Sequence, residues 1–226
     1  DITSEEFWFK HELRIQYPLK TGVAAESINT QVRTEVAAGI TNYFTRARER
    51  FPDRIGQTEE ELAADRRQHG GFHRTGNLDI TGVVPYANDK LHSVFLPFYQ
   101  NHPWANTTAS PVVTMNFDLE TGQQFSLPDV FKPGSDWVAK LTEIILRREG
   151  EMVTYPEMSA YLTPEFLASM DFTMGPDTLA LHAQPYSIWF PDWCCGSSPK
   201  HLEISYEELA YYLDPDGPYR HIEGFP

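Results

Sequence analysis

Residues 113–120 alternate without a break, Val113, Met115, Phe117 and Leu119 against Thr114, Asn116, Asp118 and Glu120. A period of two fits an extended strand, whose successive side chains point to opposite faces. The pattern therefore predicts a strand lying on a core with its polar face toward water. Just upstream, residues 90–100 (KLHSVFLPFYQ) are apolar on both faces, as in a strand covered from both sides. Pro97 removes one ladder donor there, which predicts an edge position or a bulge. The segment between them, residues 101–110 (NHPWANTTAS), is rich in turn formers and reads as a loop displaying His102 and Trp104. After the second strand, Glu120-Thr121-Gly122 supplies a turn in which glycine can take a positive φ.

The remaining chain adds helices around this strand pair. An aromatic cluster from Phe7 leads into a strand with Leu13, Ile15 and Tyr17 on one face. Ser27 is the expected cap of a long helix to Arg50, whose row Ile28, Val32, Val36, Ile40 and Phe44 recurs every fourth residue. A short surface helix is expected to begin near Thr58, and residues 77–87 read as a strand bent at Gly82 that returns through Asn88-Asp89 to the next strand. Ser135 is the expected cap of a second amphipathic helix ending in Arg147 and Arg148, and a further helical region is expected over about 156–170, with Thr163-Pro164-Glu165 as a restart signal. Residues 171–174 and 178–183 flank the Gly175-Pro176-Asp177 turn as a hairpin, a strand follows over 200–206, and a short helix over 207–213. The tail from 214 to 226 reads as a loosely held coil. The sum is an α+β fold, a mostly antiparallel sheet with a long helix packed across it and two or more further helices. A division into residues 1–88, 89–213 and a tail of 214–226 is expected, the alternative being one compact domain.

Charge and cysteines narrow the compartment and the partners. Eighteen basic residues against 32 acidic ones give a formal net charge of −14, which disfavours nucleic acid or an anionic membrane and favours a cationic partner. An acidic surface also serves solubility alone. There is no run of about twenty apolar residues to span a membrane. The chain opens on Asp1 with no visible signal peptide, as a mature or trimmed ectodomain would. The only cysteines, Cys194 and Cys195, are adjacent. Their Cα atoms are held about 3.8 Å apart, below the usual disulfide range of about 4.4 to 6.8 Å. An ordinary structural disulfide is excluded, leaving a strained vicinal ring, free thiols, metal ligation or pairing to another chain.

Asn116-Phe117-Asp118-Leu119-Glu120-Thr121-Gly122, followed by Leu127-Pro128-Asp129-Val130-Phe131, resembles the signature of a bacterial domain family of unknown function. That family forms the outer part of RsiV-type anti-sigma factors, part of a peptidoglycan deacetylase, and a mycobacterial secreted immunogenic protein. Tyr17-Pro18, Ile28-Asn29, Ser93-Val94 and residues 204–209 (ISYEEL) fit the same resemblance in order. The chain departs from it at Asn101, where a glycine and alanine usually precede the histidine, and in residues 189–198 (WFPDWCCGSS). The resemblance implies export, secreted or tethered to the cell surface, and through the RsiV-type members it implies recognition of lysozyme.

Three kinds of site are conceivable for these residues. A hydrolase needs an activated nucleophile or paired carboxylates, and neither a nucleophile-elbow pattern nor a phosphate-cradling glycine loop is present. His182 and His201 fall on the strands flanking the cysteine loop, so with Cys194 and Cys195 they offer a nitrogen and sulfur set suited to zinc. No recognised ligand spacing supports that set, and neither a metal nor a cofactor is expected. The third kind is a binding surface. Pro185, Tyr186, Trp189 and Trp193 crowd one loop, and His102 and Trp104 occupy another. Aromatic side chains in polar-bounded loops anchor proteins or sugars, although such a loop can also fold back as an accessory core. The expected function is a non-enzymatic binding or sensor domain of the cell envelope that recognises a cationic, lysozyme-like protein or a cell-wall glycan. The alternative is a carbohydrate-active or peptidoglycan-modifying enzyme module, or its accessory domain.

Overall fold

In the computed structural model of the protein, residues 11–22, 24–50, 60–61, 64, 76–101, 110–149, 160–184 and 200–223 are described. The chain runs through β1 (His11–Gln16), α1 (Ala25–Arg50), β2 (Gly76–Thr81), β3 (Val83–Ala87), β4 (Leu91–Asn101), β5 (Val112–Asp118) and β6 (Gln123–Phe125). A 3-10 turn (Leu127–Val130), α2 (Trp137–Glu149), α3 (Pro164–Ala168), β7 (Asp171–Met174), β8 (Thr178–Ala183), β9 (Lys200–Ser205), α4 (Tyr206–Leu209) and a second 3-10 turn (Pro218–His221) follow. The expected α+β class holds. Of the short helix expected near Thr58, only Glu60, Glu61 and Ala64 are described, each helical.

The first sheet has the order β1-β2-β4-β5-β6, with β3 also paired to β4. All its pairings are antiparallel except β1 with β2. One face carries α1, whose Ile28, Val32, Val36, Tyr43 and Phe44 pack on Leu78, Ile80, Val94, Leu96, Phe98, Met115, Phe117 and Leu119. Twenty-six residues of helix, about 39 Å at about 1.5 Å per residue, lie along this core. At Gly39 an added Cβ would stand 2.0 Å from Cε1 of Phe98, so this glycine lets the phenyl ring rest on the helix backbone.

Three local expectations are corrected. Helix α1 begins at Ala25 rather than at a Ser27 cap; Ala24 takes a positive φ of 57°. The side chain of Asn29 ties this end to Lys20, accepting from its N–H at 2.8 Å and donating to its carbonyl at 2.9 Å. In the second case, β4 is interior, not an edge. Pro97 sits where its neighbour on one side changes, since β3 pairs with residues 92–95 and β2 with residues 98–101. The missing N–H falls in that gap, opposite the bend at Gly82, and the bulge lies in β3 between Val83 and Tyr86. The third correction is the tail: Tyr219, His221 and Ile222 are buried rather than loose. Asn88 Nδ2 donates to the His221 carbonyl at 2.7 Å, and the Glu223 amide donates to Tyr86 Oη at 3.1 Å.

The second sheet, β7-β8-β9, is antiparallel throughout. Phe172, Met174, Leu179, Leu181, Leu202 and Ile204 turn one of its faces into a second core. That core is completed by Leu141, Ile144 and Ile145 of α2 and by Leu127, Val130 and Phe131. Arg147 and Arg148 at the end of α2 both bind Glu208, and Arg148 also donates to the Glu203 carbonyl. These two arginines therefore fasten α2 to α4 and β9, beyond any effect on the helix dipole.

The join between the sheets overturns the expectation of a wet face on β5. Asn116 is 1% exposed and Ser93, directly opposite it on β4, is fully buried. The free edge of β7 abuts them. Met174 N–H donates to Ser93 Oγ at 3.1 Å, Ser93 Oγ donates to Asn116 Oδ1 at 2.7 Å, and Asn116 Nδ2 donates to the Phe172 carbonyl at 2.8 Å. Phe172 N–H donates to Thr114 Oγ1 at 3.1 Å. Edge amides that would otherwise be buried unpaired are thus satisfied by side chains from another sheet. Replacing Asn116 by alanine strands the Phe172 carbonyl and the Ser93 hydroxyl, and is expected to cost on the order of 3 kcal/mol in urea unfolding. Gly39→Ala is expected to destabilise by about 1 to 3 kcal/mol through overpacking against Phe98, although alanine is the better helix former. No loss in either variant would contradict this packing.

Candidate ligand-binding face

Two loops carry the aromatic residues singled out by the sequence, and their described stems meet. Residues 102–109, with His102 and Trp104, and residues 185–199, with Pro185, Tyr186, Trp189, Trp193, Cys194 and Cys195, lie outside the described residues. Gln184 is the last described residue before the second loop, and Val112 opens β5 just after the first. Gln184 Nε2 donates to the Val112 carbonyl at 2.7 Å, and the Val112 N–H donates to Gln184 Oε1 at 3.1 Å. The reason lies in strand lengths. β6 pairs only with residues 116–118 of β5, so Val112 and Thr114 are left on an open edge. Gln184 closes the first position and Asp171 the second, Asp171 Oδ1 accepting from Thr114 N at 3.2 Å and from Thr114 Oγ1 at 3.1 Å. Gln184 Nε2 also donates to Asp171 Oδ2, completing a polar lattice of Val112, Thr114, Asp171 and Gln184. Burial raises the Asp171 pKa, opposed by its hydrogen bonds from Gln184 and Thr114.

His182 stands beside this lattice on β8. It is 8% exposed, its Nε2 lies 2.9 Å from Thr173 Oγ1, and its ring packs 4.7 Å from that of Phe95 and 6.2 Å from that of His201. Burial, and then the neighbouring His201, lower its pKa to about 4. His182 and His201 are cross-strand partners, as the sequence implied. The proposed zinc set with Cys194 and Cys195 involves residues outside those described, while His182 Nε2 is already engaged with Thr173.

A cleft of about 360 Å³ opens alongside, lined among others by Thr114, Asn116, Ser126, Asp129, Ser169 and Asp171. Several of its polar groups are committed to the protein. Asp129 Oδ2 accepts from Ser126 N and Ser126 Oγ, Asn116 serves the seam, and Ser169 Oγ donates to the Phe166 carbonyl. The residues that carry the family resemblance are accounted for in the same way. Asp118 Oδ1 accepts from the N–H groups of Glu120 and Thr121 at 2.8 and 3.1 Å, Gly122 takes φ of 71°, and Leu127, Val130 and Phe131 are core. The residues missed from the sequence are Thr114, Asp171 and Gln184. The one available signal was a polar residue at every second position of a strand too buried to have a wet face.

This arrangement defines an α+β fold of two sheets in which Gln184 and Val112, described residues next to the two aromatic segments, are hydrogen-bonded to each other. A search with protein-family models gives no match, and no curated protein is significantly similar in sequence. Among solved structures, the chain is similar to a member of the DUF3298 family from Bacteroides fragilis, with TM-score 0.51 and 16% sequence identity over 84% of this chain and 72% of that one. It is also matched to a DUF3298 family protein from Pseudomonas aeruginosa PAO1, with TM-score 0.43 and 15% identity over 71% of this chain and 72% of that one. The first likeness is one of fold, and it fits a domain of unknown function, as the sequence resemblance implied.

The depressed pKa of His182 predicts an acid-sensitive fold. An unfolded imidazole titrates near 6.5, so between about pH 6.5 and 4 the unfolded chain binds a proton that the folded one refuses. Stability is lost as pH falls through that window, by on the order of 2 to 3 kcal/mol. Urea unfolding at pH 7 and 4.5 should show a steeper loss for the wild type than for His182→Gln; parallel losses would contradict the burial of a neutral ring.

Proposed function

We propose that this protein is a non-enzymatic domain of the bacterial cell envelope that binds an extracellular partner between the loops carrying Trp104 and Trp193. The observation that carries this reading is the pair of hydrogen bonds between Gln184 and Val112, which brings described residues beside both segments to one place on a half-buried lattice. Loops rooted on rigid scaffolds are the usual carriers of recognition, and aromatic anchors concentrate binding energy when they converge. His102, Pro185, Tyr186 and Trp189 belong to the same face in this reading.

A cationic protein is the favoured ligand. The formal net charge of −14 steers a positively charged partner and makes its association sensitive to salt. Together with the resemblance to RsiV-type ectodomains, that charge points to a lysozyme-like protein. A cell-wall glycan would use the same aromatics with little dependence on charge. Export, to the surface or the periplasm, belongs to the same proposal.

Calorimetric titration with egg-white lysozyme at low and high salt distinguishes these cases. Saturable binding that weakens with salt, and weakens further in Trp104→Ala and Trp193→Ala, is expected. Absence of heat at both salt concentrations removes lysozyme, and salt-independent binding to soluble peptidoglycan fragments would replace it with the glycan.

A further inference from the structure

The turn between β5 and β6 and the C-terminal 3-10 turn bring together three groups that are far apart in sequence. Asp118 and Glu120 come from the first, His221 from the second, and their ligand atoms all lie within 4.8 Å of one another. His221 Nε2 is 3.8 Å from Asp118 Oδ2 and 3.7 Å from Glu120 Oε2, beyond hydrogen-bond length in both cases. The histidine side chain is 2% exposed, and its Nε2 is buried with no hydrogen-bond partner. A buried ring nitrogen aimed at two carboxylates and bonded to neither is costly unless something occupies the space between them.

The surroundings suit a divalent cation. Asp118 Oδ1 is fixed by the N–H groups of Glu120 and Thr121, which turns Oδ2 toward His221 in the way outer contacts orient metal ligands. Burial, followed by the charge of Arg220, lowers the His221 pKa, and Asp118 and Glu120 pull the other way. Ligands at about 2.1 Å from a tetrahedral zinc are about 3.4 Å apart, so the two separations from His221 need to close by only a few tenths of an ångström, while the carboxylate oxygens lie within 4.8 Å of each other. Glu120 is 45% exposed on its side chain, which leaves the remaining position open to solvent. Lys90 Nζ at 3.2 Å and Arg220 Nη2 at 3.3 Å now neutralise Glu120, and Arg220 would leave Oε2 when a metal arrives.

We infer that Asp118, Glu120 and His221 form a binding site for a divalent cation of the zinc class, which clamps the C-terminal segment onto the β5–β6 turn. Nitrogen and carboxylate donors in this mixture favour Zn²⁺ over Ca²⁺ or Mg²⁺, which take oxygen ligands. The site shares no residue with the aromatic loops.

The test is calorimetric titration of the untagged full chain with ZnCl₂ at pH 7.5, repeated on Cys194→Ser/Cys195→Ser to remove thiolate ligands. One Zn²⁺ per chain should bind at this site in both proteins and raise the melting temperature. Glu120→Gln, an exposed change, should weaken that binding by at least about tenfold and abolish the thermal shift without lowering the metal-free melting temperature. His221→Gln should do the same, and if it fails to fold, Glu120→Gln decides alone. The proposal is overturned if no Zn²⁺ binds stoichiometrically, if binding disappears with the cysteines, or if Glu120→Gln binds as the wild type does.

Discussion

The edge of β7 is a row of amides and carbonyls pressed against the face of another sheet, where no ladder is available to receive them. The chain from Met174 N–H through Ser93 and Asn116 to the Phe172 carbonyl answers that problem with two side chains that face each other across β4 and β5. Thr114 adds the Phe172 N–H. In return, Asp171 and Gln184 close the open edge of β5. Each sheet protects the edge of the other. The two cores are linked through β4, which gives Val94, Leu96 and Phe98 to the core under α1 and Leu91 to the core under α2.

The motif that carries the family resemblance is a folding device. Asn116 belongs to the seam, Asp118 and Gly122 build the turn, Asp129 receives the Ser126 amide, and Leu127, Val130 and Phe131 fill the core. Such residues specify a scaffold and are silent about its ligand. In the proposed function, recognition falls to the segments 102–109 and 185–199, and the second is unusual in composition, aromatic and with adjacent cysteines. A net charge of −14 bears on encounter and solubility rather than on the fold.

Much of the scaffold was legible because period and punctuation are local. The apolar row of α1, the Thr163 cap of α3 and the hairpin around Gly175 each follow from a few neighbouring residues. The polar positions of β5 were misread as a wet face because alternation records polarity and not what the polar groups meet. Asn116 and Ser93 look like surface residues until a second sheet covers them. Pro97 was misplaced for a related reason: the gap between two successive partners, which makes its missing N–H harmless, exists only in three dimensions. The cluster of Asp118, Glu120 and His221 was invisible because its members meet only when the tail closes over the turn. The stems of the aromatic loops were foreseen only as a condition, and Gln184 gave no signal of its own.

Side chains of the first sheet complete the hydrogen bonding of β7, and so fix the lattice that joins Asp171 and Gln184 to β5. Native-state amide hydrogen exchange at Phe172 and Met174 measures this directly. The account predicts that both amides exchange as slowly as the ladder amides of interior β4, requiring global unfolding. Exchange at the rate of a solvent-exposed edge strand would contradict it.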